Sequence, residues 1–267
     1  MNSVAIVLKE QIKSLHLIKR LSIYQIKSTN SNNYLGMIWE FLNPLIQMSV
    51  YWFVFGLGIR GGQGVNGIPF IYWLTAGLLV WFFINPAIIQ GSKSIYTRIN
   101  IISKMNFPMS VIPSYVIMAN FYQHLILFGI VTLIFLVIGP GISINYIQIV
   151  YYMFATIIFL FSFTLITSTL ATEVRDIQMI VQAVMRMMLY LTPILWTPEK
   201  LPSVIQKIMQ LNPLGYIVEG YRQSLLGTGW FYQDIKQTLY FWGIVLFMLF
   251  LGSILHIKFR KHFIDYL

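Results

Sequence analysis

Side chains that commonly carry chemistry are few in this chain and scattered along it. The four histidines, His16, His124, His256 and His262, form no HExxH pair, cysteine is absent, and no GxxxxGK[ST] phosphate loop occurs. With no carboxylate pair inside an apolar stretch, acid–base, thiolate and P-loop nucleotide chemistry have no visible apparatus. Binding chemistry remains. Arg186 interrupts a long uncharged run, and a guanidinium there needs an anion or backbone oxygens rather than hydrocarbon. Two partners stand open for it: an acid of the chain itself, such as Glu219, or an anionic cargo. Aromatic residues cluster at Tyr51, Trp52, Phe53 and Phe55 and again at Trp73, Trp81, Phe82 and Phe83. They serve as interfacial belts and packing, or as flat faces on which sugar rings stack and slide. The run TPILWTP (192–198) sets Pro193 and Pro198 where a helix either ends or kinks into a gate.

The elements that position these groups are dictated by the solvent. Apolar residues make up 57% of the 267 and charged residues only 10%, against about 25% charged in soluble domains. Lipid is the medium this composition fits, with one membrane domain and no room for a second, soluble one. The formal charge of +10 is spread beside apolar runs, the distribution expected next to anionic headgroups rather than nucleic acid. Lys9, Glu10 and Lys13 interrupt the start of the chain, so it does not read as a cleaved signal peptide.

An ionisable group at the bilayer centre costs about 2.5–3.5 kcal/mol on insertion scales, so charge-free intervals mark the spans. They predict an all-α membrane protein with six transmembrane helices, near 41–59, 70–90, 111–138, 146–170, 177–196 and 238–257. Gly139, Pro140 and Gly141 supply the turn within the uncharged interval between Lys104 and Glu173. The stretch 201–226, broken by Pro202, Pro213 and Gly215, is too interrupted to cross and too apolar for a simple loop. It is expected to re-enter the outer leaflet as short helices. With both termini on the inner side, twelve of the 18 Lys and Arg residues fall there and five outside, which the positive-inside rule favours.

Residues 1–33 are expected to form an interfacial helix ahead of the membrane domain at 34–267. Lys9, Lys13, Arg20 and Lys27 lie within about 40° of one another on it, opposite Leu15, Ile18, Leu21 and Ile26. The segment 95–107 alternates bases with Ile95, Ile99, Ile102 and Met105 before Pro108, so it predicts a short amphipathic helix able to press into a groove on a soluble partner. Glu173, Arg175 and Asp176 crowd the turn before the fifth span, where helix capping and local pairing compete with a partner contact.

Seven segments occur in an order that resembles the ABC-2 type permeases of polysaccharide export: NYLGMIWEFLNPLIQMSVYWFVFGLGIR (33–60), PFIYWL (69–74), WFFIN (81–85), SKMNFP (103–108), VRDIQM (174–179), PILW (193–196) and NPLGYIVEGYR (212–222). Within that family the pattern is most similar to permeases of wall teichoic acid; O-antigen and capsule exporters are the alternative, and an ion-coupled carrier the rival class. The resemblance implies a plasma-membrane permease, both termini cytoplasmic, that pairs with a second copy of itself and with two ATP-binding cassette subunits. ATP and magnesium would sit on those subunits, with no cofactor and no catalytic residue in this chain. Its cargo would be a polymer on an undecaprenyl-pyrophosphate-type lipid, with no nucleic acid involved. It also implies that 95–107 is the coupling helix, so that Ile99, Ile102, Lys104, Met105, Asn106 and Phe107, with Arg20, Glu173, Arg175 and Asp176, would meet the ATPase. Channel or gate candidates are Tyr51, Trp52, Phe55, Trp73, Trp81, Phe82, Arg186, Tyr190, Pro193, Trp196, Glu219 and Arg222.

Overall fold

The computed structural model describes residues 3–29, 34–98, 108–198 and 201–260. Two surface helices, α1 (Ser3–Lys13) and α2 (Leu15–Thr29), precede α3 (Trp39–Tyr51), which runs on into a π-helical segment, Trp52–Ile59. Then come α4 (Phe70–Ser92), α5 (Val111–Ile138), α6 (Ile149–Glu173), α7 (Asp176–Leu191), two short helices α8 (Ser203–Gln210) and α9 (Pro213–Leu226), and α10 (Ile235–Phe259). Among the described residues, five stretches are long and apolar enough to cross a membrane: Gly36–Ile59, Phe70–Ser92, Val111–Ile138, Ile144–Glu173 and Ile235–Phe259. In hydrocarbon each backbone group must be satisfied within its own helix, which is why these uncharged runs fold this way.

The crossing expected over 177–196 takes a different form. α7 has 16 residues, about 24 Å of helix, and stops at Leu191, with Thr192 extended at ψ 136°. Pro193 is the cause: the residue before a proline is pushed out of the helical region. The N-terminal segment also departs from one continuous helix. A turn at Ser14 separates α1 from α2, so Lys9 and Lys13 ride on one helix and Arg20 and Lys27 on the next.

α4 and α6 form the centre. In their most apolar windows 67% and 56% of residues are buried, against 11% for the span containing α3, which leaves Phe53 and Val50 exposed on its flank. α4 packs on α5, α6, α7 and α9, and α6 packs along α10. Gly220 lets α9 come so close to α6 that a Cβ there would overlap the Tyr152 ring. A smaller core joins α2 to the start of α5, with Ile18, Ile95, Val111, Ile112 and Val116 buried together. Its position ties the surface helices to the end of the turn that follows α4.

The 201–226 stretch folds as two short helices. Pro213 occupies the first turn of α9, the Asn212 side chain accepts from the Leu214 N–H at 3.0 Å, and Gly227 ends the helix at φ +71°. The following loop is held by Asn145 Nδ2 and Gln148 Nε2, each donating to the Gly229 carbonyl at 2.7 Å.

Candidate functional site

A cavity of about 570 Å³ opens between α3, α4, α5 and α7. The faces that build it are legible as helical spacings. Glu40, Asn43, Gln47 and Tyr51 recur on one face of α3, and Phe82, Asn85 and Ile89 on one face of α4. Asn120, Gln123, His124 and Leu127 share a stripe of α5, while Arg186, Leu189 and Tyr190 come from α7. Two prolines, Pro44 in α3 and Pro86 in α4, also line it. Neither proline carries a backbone N–H, so each removes one rung from the hydrogen-bond ladder of its helix beside the cavity.

The wall thus combines amides, aromatic rings and one guanidinium among apolar helices. Asn120 Nδ2 donates to the Val116 carbonyl at 2.8 Å and to Gln90 Oε1 at 3.3 Å, which fixes two of the amides. His124 is buried, stacked on Phe83 at 5.0 Å between centroids, with Nε2 3.1 Å from the Tyr221 hydroxyl on α9. Arg186 and Tyr190 are exposed on the α7 side. A guanidinium exposed beside apolar helices pairs with water, an anion or another chain rather than with hydrocarbon. Such a surface hydrogen-bonds hydroxyls, stacks on sugar faces and pairs with anions, which is binding chemistry.

Five of the channel candidates meet here: Tyr51, Trp81, Phe82, Arg186 and Tyr190. Trp73, Pro193, Glu219 and Arg222 belong to a second cleft of about 280 Å³, formed by α4, α8, α9 and the 193–198 turn. Trp52, Phe55 and Trp196 line neither; they pack half-buried against the main core, and Trp196 Nε1 donates to the Tyr190 carbonyl at 2.7 Å. The pairing of Arg186 with Glu219 is not formed. Glu219 is more than half exposed and its basic neighbour is Arg222, 3.5 Å away on the same helix.

Arg222 is the surprise of the second cleft. Counted from sequence among outer-loop charges, it is 2% exposed. Its Nη1 donates to the Pro193 carbonyl at 2.7 Å, Nη2 to the Ile194 carbonyl at 2.9 Å, and Nε to the Trp73 carbonyl at 3.3 Å. Gly77 makes the room, since a Cβ there would stand 2.7 Å from Nη2. One side chain therefore ties α9 to α4 and to the broken end of α7.

On the opposite side of the domain, Arg20, Arg175 and Asp176 are exposed, and Asp176 begins α7, where an acid complements the helix dipole. Ile99, Ile102, Lys104, Met105, Asn106 and Phe107 lie outside the described residues. Just before them, Arg98 Nη2 donates to Gln25 Oε1 at 3.0 Å and its guanidinium lies 5.5 Å from the Tyr115 ring centre, joining this turn to α2 and α5. Sequence reasoning missed Asn43, Gln47, Asn85, Asn120 and Gln123. The available signal was their recurrence on single helical faces within uncharged spans.

Apolar helices long enough to cross a membrane, with a polar and aromatic cavity between them, define a multi-pass membrane protein. Its family is shown by comparison: residues 16–226 match the ABC-2 type transporter family, and the chain belongs to it. It is similar to the O-antigen export system permease protein RfbA of Klebsiella pneumoniae, 28% identical over 88% of this chain and 89% of that one. The protein of the same name from Myxococcus xanthus is 24% identical over 74% of this chain and 75% of its own length. The inner membrane transport permease YadH of Escherichia coli is 24% identical over 77% and 81%. The chain is therefore an ABC-2 permease, the membrane subunit of an ABC exporter that depends on ATP-binding partner subunits.

Proposed function

We propose that the chain exports a lipid-linked polysaccharide, which slides past the cavity of α3, α4, α5 and α7 as ATP is hydrolysed on the partner subunits. The single observation that carries this is the wall itself: amides, stacked-ring surfaces and Arg186 gathered at membrane depth, where hydrocarbon would otherwise be expected. Cavity-lining residues exposed on α3 and α7, among them Asn43, Gln47, Arg186 and Tyr190, support a second copy of the chain as the element that covers it. α7 supplies a further crossing, the fifth in chain order, with the chain after it irregular where protein covers it. Both termini lie on the cytoplasmic side, where the positive charge concentrates.

The ATPase would meet the 95–107 segment, with α1, α2 and the 173–176 turn as its flanks. Force then reaches the spans through Arg98 and the small core around Ile95. For the cargo, the named relatives support a polysaccharide of the O-antigen kind better than wall teichoic acid in particular. Vesicles containing the permease and its ATPase test this with two lipid-linked polymers, one an uncharged or weakly charged glycan and one a polyol phosphate. ATP-dependent delivery of the glycan is expected; transport of the polyol phosphate alone would overturn the cargo assignment, and transport without ATPase the class.

A further inference from the structure

We propose a binding site for an anionic phospholipid in the groove between the two surface helices and the outer faces of α5 and α6. The groove encloses about 560 Å³, within the range of roughly 300–1,000 Å³ typical of ligand sites, and its wall is almost wholly hydrocarbon. Leu15 comes from α2, Ile117 from α5, and Ile157 and Phe161 from α6; Lys19 stands at its rim. On α5 the lining runs from Ser114 to Tyr122, about 12 Å of helix starting near the inner end of the span. That depth is close to the ~15 Å of one leaflet's hydrocarbon, the reach of a single acyl chain. A polyprenyl tail, longer than a leaflet, would overrun it.

Charge selects the headgroup. Residues 3–29 carry Lys9, Lys13, Lys19, Arg20 and Lys27 against one acid, Glu10, and that acid is engaged by Arg260 at 2.9 Å and by the Ser110 hydroxyl. Nor does Gln11 offer a polar hook, since it donates to the Ser110 carbonyl at 2.9 Å and accepts from Ser114 at 2.7 Å. The groove thus presents an apolar slot with the Lys19 ammonium, which forms no ion pair among the described residues, at its edge, the complement of an acyl chain under an anionic phosphate. Leu15 and Ile12, 61% and 69% exposed, extend the apolar edge on the same helices. The inference rests on the membrane setting of the chain and on none of the cargo assignment.

The test uses the purified permease–ATPase complex in phosphatidylcholine vesicles containing trace phosphatidylglycerol or phosphatidylcholine with a photoreactive acyl chain. Peptides from α5 and α6 should be labelled about fivefold more by the glycerol probe. Lys19→Gln should erase that preference and leave the choline labelling unchanged, while Ile158→Trp, which fills the slot, should lower the glycerol signal about tenfold. Leu15→Trp, at an exposed position, serves if Ile158→Trp does not fold. Equal labelling by both probes, undiminished labelling in a slot-filling variant, or full displacement of the glycerol probe by polyprenyl phosphate would each overturn the site.

Discussion

The guanidinium of Arg222 lies 3.5 Å from the centre of the Trp73 ring, face on, with three backbone carbonyls around it. Glu219 contributes little to its stability, being 3.5 Å off and more than half exposed, where such pairs are worth about 0–1 kcal/mol. The carbonyls and the desolvated cation–π contact, worth about 2 kcal/mol, dominate.

Replacing Arg222 with Lys keeps the charge and removes the fork. An ammonium reaches one or two of the carbonyls and leaves the rest without a donor, a loss on the order of 3 kcal/mol. The variant should melt at a clearly lower temperature than the parent in detergent, and Glu219→Gln hardly differently from it. An Arg222→Lys melting curve superimposed on the parent's would refute the staple.

Gly220→Ala should be worse than any polar substitution nearby. The added Cβ would overlap the Tyr152 ring, and α9 and α6 cannot separate without opening the core between them. Loss of folded protein is expected on size-exclusion profiles, with partial recovery when Tyr152→Ala removes the ring. No recovery in the double variant would show that the close approach is not what limits folding.

The Glu10–Arg260 ion pair joins α1 to the end of α10, yet both groups are partly solvated, at 20% and 37% exposure. Glu10→Gln should therefore destabilise the chain by about 1 kcal/mol or less, well below the Arg222 change. Comparing the two variants in one thermal series checks the ranking, and a larger shift for Glu10→Gln would reverse it.

What could be read from sequence divides along physical lines. Uncharged apolar runs fold as long helices, as over Val111–Ile138, because such a run leaves the backbone no better partner than itself. Pro193 explains why the fifth stretch fell short: as a helix terminator it outweighs the apolar run through Trp196. The burial of Arg222 was not legible because it depends on carbonyls contributed by residues 73, 193 and 194, and such distant partners leave no local mark. The amides of the cavity were legible in principle. Asn43 and Gln47, or Asn120 and Gln123, recur at helical spacing, but their faces converge only once α3, α4 and α5 are packed.

Arg186 lines that cavity and is exposed on the single chain, so truncating it removes little buried packing. If it contacts an anionic or hydroxyl-rich cargo, Arg186→Ala should leave melting temperature and complex yield at parental levels while lowering ATP-driven export about tenfold, the equivalent of ~1.4 kcal/mol. Gln47→Leu on the facing helix should act in the same direction more weakly, since a neutral hydrogen bond is worth roughly half a charged one. Together the two should sum to less than their separate effects if they grip the same segment of polymer. Export assays in vesicles at matched protein density decide this. Parental flux in Arg186→Ala would show that the guanidinium does not hold the cargo.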